Sequence, residues 1–88
     1  MEKYPKILDV KPKKGKRLLV TFNNGIKKIY DCSSLIDDDI FKPLMNDALF
    51  NSVQADKHGY GVIWTDELDL SESELWINGL PADKVAGE

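Results

Sequence analysis

Apolar residues along the chain come in short alternating runs broken by turn residues, the pattern of a small hairpin-rich sheet. Ile7-Leu8-Asp9-Val10 is the first predicted strand. Lys11-Pro12-Lys13-Lys14-Gly15-Lys16 ends it. Pro12 removes a donor and Gly15 admits a positive φ, so this stretch is predicted to be a turn. Arg17-Leu18-Leu19-Val20-Thr21-Phe22 and Ile26-Lys27-Lys28-Ile29-Tyr30 are predicted strands joined by Asn23-Asn24-Gly25. Asn-Gly between apolar runs is a strong hairpin signal. A two-residue loop would pair Phe22 with Lys27 and mix charge with apolar groups. A three-residue loop pairs Phe22 with Ile26 and Leu18 with Tyr30. It puts Leu18, Val20, Phe22, Ile26 and Tyr30 on one face, so this register is predicted. The other face keeps Leu19 and Ile29, which implies partial cover.

Beyond the hairpin, Asp31 or Ser33 is expected to cap a short helical turn. Phe41, Leu44, Met45, Ala48 and Leu49 recur near helical spacing, with Pro43 in a first turn. A short helix, or a pair of turns, over 41–50 is expected to cover the sheet. Val53 and Ala55 then alternate inward as a short strand, followed by a turn at 57–61. Val62-Ile63-Trp64-Thr65 is its partner. The rest of the chain is organised around the stretch from Gly59 to Ser71: a glycine turn, this apolar strand, an acidic connector and a helix start. Ser71-Glu72-Ser73-Glu74 has capping-box spacing. The helix is expected to run through Leu75, Trp76 and Ile77, to stop at Gly79 and to be followed by Pro81.

These elements define an α+β fold: an antiparallel hairpin-rich sheet of about five strands with one or two covering helices. At 88 residues the chain is read as a single small domain. Its core is expected over 5–79, with 80–88 as a flexible tail.

Charge adds something the pattern does not show. Residues 1–28 hold nine basic residues against two acids, a net of +7. Residues 29–88 hold three against thirteen, a net of −10. Either the halves fold together and partly neutralise, or a dipolar surface steers a partner. Lys11, Lys13, Lys14, Lys16 and Arg17 form the densest basic stretch. It reads first as protection of an edge strand and second as a phosphate-binding patch. No aromatic residue interleaves these lysines, as a single-strand stacking surface would require. No apolar run approaches the roughly 18 residues of a membrane span. The N-terminal residues carry no apolar signal core. The single Cys32 suits a reducing compartment, so a cytoplasmic protein is expected.

Catalytic chemistry finds little support. His58, the only histidine, sits in a glycine-flanked turn with no nucleophile paired to it. Cys32 reads as a small apolar residue rather than a reactive thiol. Asp37-Asp38-Asp39 point in different directions, unlike the converging oxygens of a hard-cation site. Asp66, Glu67, Asp69, Glu72 and Glu74 suit a helix start. Gly59-Tyr60-Gly61 is too short for a phosphate loop. No enzyme activity, cofactor or metal is therefore expected. Trp64 and Trp76 read as core anchors first and as interface candidates second.

The order Phe22-Asn23-Asn24-Gly25, Tyr30-Asp31, Leu44, Phe50-x-x-Val53, Gly59-Tyr60-Gly61-x-x-Trp64, Asp69-Leu70-Ser71 and Leu75-Trp76 resembles the bacterial domain-of-unknown-function 2442 family, over roughly residues 5–79. Cys32 stands where the family more often has leucine, which touches packing only. The resemblance implies a small sheet with helices on it and no established activity. Family genes often lie beside genes of another small domain, which implies a toxin–antitoxin-like pair. Some relatives carry an added helix-turn-helix; the residues after 79 are too few for one, so direct promoter binding is not expected. The function expected is a small interaction module, the antitoxin-like member of a two-gene pair, with a small protein partner or a homo-oligomer. The alternative is a nucleic-acid-binding regulatory accessory using the basic 11–17 loop.

Overall fold

Two sets of antiparallel hairpins carry the fold in the computed structural model, which describes residues 4–82. Strands β1 (Ile7–Lys13), β2 (Arg17–Phe22) and β3 (Lys27–Asp31) are consecutive neighbours, and β7 (Leu80–Pro81) adds beyond β3. Strands β4 (Gln54–Ala55), β5 (Gly61–Thr65) and β6 (Leu68–Ser71) form a second sheet. Helices α1 (Asp47–Phe50) and α2 (Glu72–Asn78) are short, and 3-10 turns cover Ser33–Asp37 and Lys42–Met45. The α+β, antiparallel expectation holds, with the strands divided between two sheets.

The β2–β3 hairpin has the three-residue loop that segregation of its faces predicts. Leu18 lies opposite Tyr30 and Val20 opposite Lys28. The Phe22 amide donates to the Ile26 carbonyl at 2.9 Å, and Gly25 has φ 88°. Leu18, Val20, Phe22 and Tyr30 are buried as expected. Ile26, at the loop mouth, is 44% exposed and leaves the predicted face incomplete. The same register brings Lys28 to the core side. Its Nζ rests 3.8 Å from the Trp76 ring centroid and donates to the Trp76 carbonyl. The stem packs while the ammonium sits on the indole face.

Several expectations are corrected. β1 does not stop at Val10. It runs through Pro12, opposite Leu18, to Lys13. β1 is an edge strand, where proline's missing donor is tolerated. The turn shrinks to residues 14–16, and Lys16 takes φ 58°. Of the two forms expected for 41–50, the stretch takes the pair of turns rather than one helix. Asn46 ends the 3-10 turn, and its side chain accepts the Leu49 amide at 3.1 Å, capping a new start at Asp47. Leu44 and Phe50 are buried, whereas Met45 is 63% exposed. Leu68–Ser71 is a strand, not a connector; Leu68 and Leu70 face the core with Asp69 outward. Leu80 and Pro81 pair with Ile29 and Lys28 rather than joining a tail. Residues 83–88 of that tail lie outside the described residues.

One core joins both sheets. Phe22, Leu18, Val20, Cys32, Leu44, Val62 and Leu75 are the most deeply buried side chains. The sheets meet where the Ile7 amide donates to the Gly59 carbonyl at 2.8 Å. Gly59 has φ 80°, and a Cβ there would stand 2.7 Å from the Lys6 Cβ. At Gly61 a Cβ would meet the Leu70 carbonyl oxygen at 2.2 Å. These glycines are dictated by backbone approach as well as by the turn. Ser71 caps α2 as predicted, accepting the Glu74 amide at 3.2 Å. The reciprocal half of a capping box does not form. The Glu74 carboxylate instead accepts the Tyr30 hydroxyl at 2.7 Å and the Asn78 amide at 2.9 Å.

Candidate functional site

The basic stretch is split by the strand that carries it. Lys11 and Lys13 are exposed, on the face of β1 turned away from the core, opposite Leu19 and Arg17. Lys14 is exposed in the turn, and its carbonyl accepts the Arg17 Nε at 3.0 Å. Lys16 turns the other way. It pairs with Asp47, donates to the Met45 carbonyl at 3.3 Å and stands 5.2 Å from the centre of the Phe50 ring. A positive φ aims this lysine across the end of the sheet at α1. The five basic residues therefore do not form one surface. Two of the ion pairs, Lys16–Asp47 and Lys6–Glu72, join the basic N-terminal part to the acidic remainder. Folding thus consumes part of the charge segregation seen in the sequence.

The tryptophans separate as well. Trp64 is 8% exposed; its Nε1 donates to the Phe50 carbonyl at 3.0 Å, and its ring lies 6.1 Å from that of Phe50. It is a core residue with its one polar atom satisfied. Trp76 is half-buried, edge-on to Phe22 at 5.0 Å and capped by Lys28. It closes the rim of the core and presents part of one ring.

Chemically reactive groups are held in unreactive states. Cys32 is fully buried, and burial, then the neighbouring Asp31, pushes its thiol up to about 12. That is the reverse of an activated thiolate. Burial also raises the Tyr30 phenol, aided by its hydrogen bond to Glu74. His58 is exposed. Asp56 is spent on the turn: its carboxylate accepts the His58 and Tyr60 amides at 2.9 and 3.3 Å, which hold its pKa below the usual carboxylate range. Among the described residues, no three of His, Cys, Asp and Glu gather as a metal site would need. Nor is any described helix long and apolar enough to cross a membrane.

A feature not singled out in the sequence lies beside the β5–β6 turn. Ile40, Pro43, Leu49 and Leu68 line an open depression of about 360 Å³, with Thr65 and Glu67 on its edge. Ile40 is 62% exposed. Its signal was present but faint: an isoleucine directly after three aspartates, where an apolar residue outside any helical period has no core to enter. A second depression lies at the opposite end of the 40–51 segment, between the 14–16 turn and α1, where Lys16 and Asp47 already meet.

The molecule is thus a small α+β protein of two antiparallel sheets whose distinctive surface lies at its hairpin tips. The chain belongs to the family described as Protein of unknown function (DUF2442), whose family model matches residues 7–79. No curated protein and no solved structure matches it. The matched span contains both sheets up to Gly79, including the glycine joint and Trp64.

Proposed function

We propose that this protein is a non-enzymatic interaction module, the partner-binding, antitoxin-like member of a two-gene pair. The observation that carries this reading is the asymmetry of the hairpin tips. The basic tip is tied to α1 through Lys16 and Asp47. The acidic tip stands beside apolar side chains left open to solvent. Exposed apolar surface rimmed by polar residues is characteristic of interaction sites. The buried Cys32 and the solvent-facing His58 support a binding role over catalysis. Co-expression with the product of the adjacent gene, followed by purification of both chains, tests it. A stable complex of fixed stoichiometry is expected. A strictly monomeric protein that ignores that product contradicts it.

A second reading keeps one specific observation: Lys11 and Lys13 share the outer face of β1, with Lys14 in the adjoining turn. This strip suits a phosphate backbone, and the protein would then be a nucleic-acid-binding accessory in the cytoplasm. Its affinity would fall steeply with salt, with a log–log slope of about −1 per phosphate neutralised. Binding that is absent, or flat across a salt titration, removes this reading.

A further inference from the structure

We infer that the depression between residues 40–49 and the β5–β6 tip receives a basic amphipathic helix of a partner protein; this deepens the interaction-module reading and rests on it. The floor is aliphatic: Ile40 is largely exposed, Leu49 half-buried and Leu68 buried beneath them. The depression is broad and open, and among the described residues Glu67 is the one charged side chain lining it. A metabolite site would enclose its ligand and converge several polar groups on it. This site offers room for aliphatic side chains from successive turns of a helix laid on the surface.

The rim decides the charge of the occupant. Thr65 Oγ1 accepts the amides of Glu67 and Leu68 at 3.2 and 3.1 Å. That turn fixes the tip while Asp66 and Glu67 stay exposed. Asp37, Asp38 and Asp39 directly precede Ile40 in the chain and are all exposed, and the Asp38 carboxylate accepts the Ile40 amide at 3.0 Å. Lys42 stands 3.4 Å from Asp39 and offsets part of that charge. Acids beside an apolar floor repel an acidic chain and steer a basic one toward it. A second copy fits poorly. Neither described α-helix, Asp47–Phe50 or Glu72–Asn78, carries a lysine or arginine, so a copy offers no basic helix to lay there. The occupant is therefore a different chain, lysine- or arginine-rich, with aliphatic residues spaced for one helix face.

Amide-resolved NMR titration tests this with a synthetic helical probe of leucine and lysine, about 18 residues long and with leucines at i, i+3, i+4 and i+7. A leucine/glutamate counterpart is the control. The leucine/lysine probe is expected to shift amides of residues 39–49 and 65–68, and the counterpart to shift none. Joint reversal, Asp66→Lys with Glu67→Lys, is expected to weaken binding about tenfold, and Ile40→Ser several-fold. All three positions are exposed, and a retained wild-type spectrum elsewhere confirms the fold. Equal binding of both probes, shifts confined to the basic turn, or no shift at all overturns the inference. If the probe fails while the adjacent gene's product still forms a complex, the docking site falls and the module reading stands. If the probe binds here and that complex does not form, the two-gene reading falls.

Discussion

The two sheets each bring a hairpin turn to the 33–50 segment, and the two turns meet it in opposite ways. At residues 14–16 the meeting is electrostatic and satisfied. Lys16 reaches Asp47 and the Met45 carbonyl, and the Cys32 amide donates to the Lys16 carbonyl at 2.8 Å. At residues 65–67 the turn satisfies itself through Thr65, and what faces the segment is Leu68 beside Ile40 and Leu49. The basic end has been made part of the fold. The acidic end has been left unmatched. Net charge in the sequence does not show this difference: of the dense basic stretch Lys16 is drawn into the fold, while Lys11, Lys13 and Lys14 stay exposed.

The largest expected effect comes from the residue that supports both ends. Phe50 lies under the Lys16 ammonium, and its carbonyl holds the Trp64 indole. Phe50→Ala is expected to cost about 3–5 kcal/mol, a large share of the total for a domain this small. Denaturant unfolding measures it. A cost under about 1 kcal/mol would mean the 33–50 segment is not integral to the core.

Next comes the left-handed lysine. Lys16→Met removes the ion pair and is expected to cost about 1 kcal/mol or less, because Asp47 is mostly exposed. Lys16→Gly removes the same pair but relieves the positive φ. It should exceed Lys16→Met in stability by about 1 kcal/mol. If the two variants melt together, backbone strain does not contribute at the basic tip.

Behind that tip, pH gives a signed expectation. The Cys32 thiol is pushed up to about 12 by burial, and the Tyr30 phenol is also raised. Groups raised on folding contribute fully below their unfolded values, about 8.5 for a thiol and about 10 for a phenol. Their contribution is lost as pH climbs above those values. Stability is therefore expected to decline in alkaline solution, and native Cys32 to resist a thiol reagent near pH 8 until denaturant is added. Rapid labelling of the native protein would contradict the buried placement.

The smallest effect is expected at the acidic tip. Asp66→Asn and Glu67→Gln should each change stability by no more than about 0.5 kcal/mol. Thermal melts decide it, and a larger loss would mean the tip is structural.

The β2–β3 hairpin was legible because alternation, Asn-Gly chemistry and the segregation of its faces agree. Only one register buries Leu18, Val20, Phe22 and Tyr30 together. Trp64 and the Ser71 cap were legible for similar local reasons. Pro12 misled because proline's rule depends on whether a strand is an edge, which is a property of the assembled sheet. The 41–50 stretch left a helix and a pair of turns both open because its apolar spacing fits a helix while Asn46 offers the backbone a competing partner. β6 was missed because its four residues alternate too briefly to outweigh Asp69 and the acids just before it. The depression was barely legible: beyond the isolated Ile40 it needs Leu68, far away in sequence and brought beside it only by the fold.

The most direct test sets the two tips against each other on one ligand. Affinity for the leucine/lysine probe would be measured for Asp66→Lys with Glu67→Lys, and for Lys13→Glu with Lys14→Glu. The account predicts about tenfold weaker binding for the first pair, and unchanged or modestly tighter binding for the second. Loss of binding in the second pair, with none in the first, would contradict it and return the basic turn to the centre of the function.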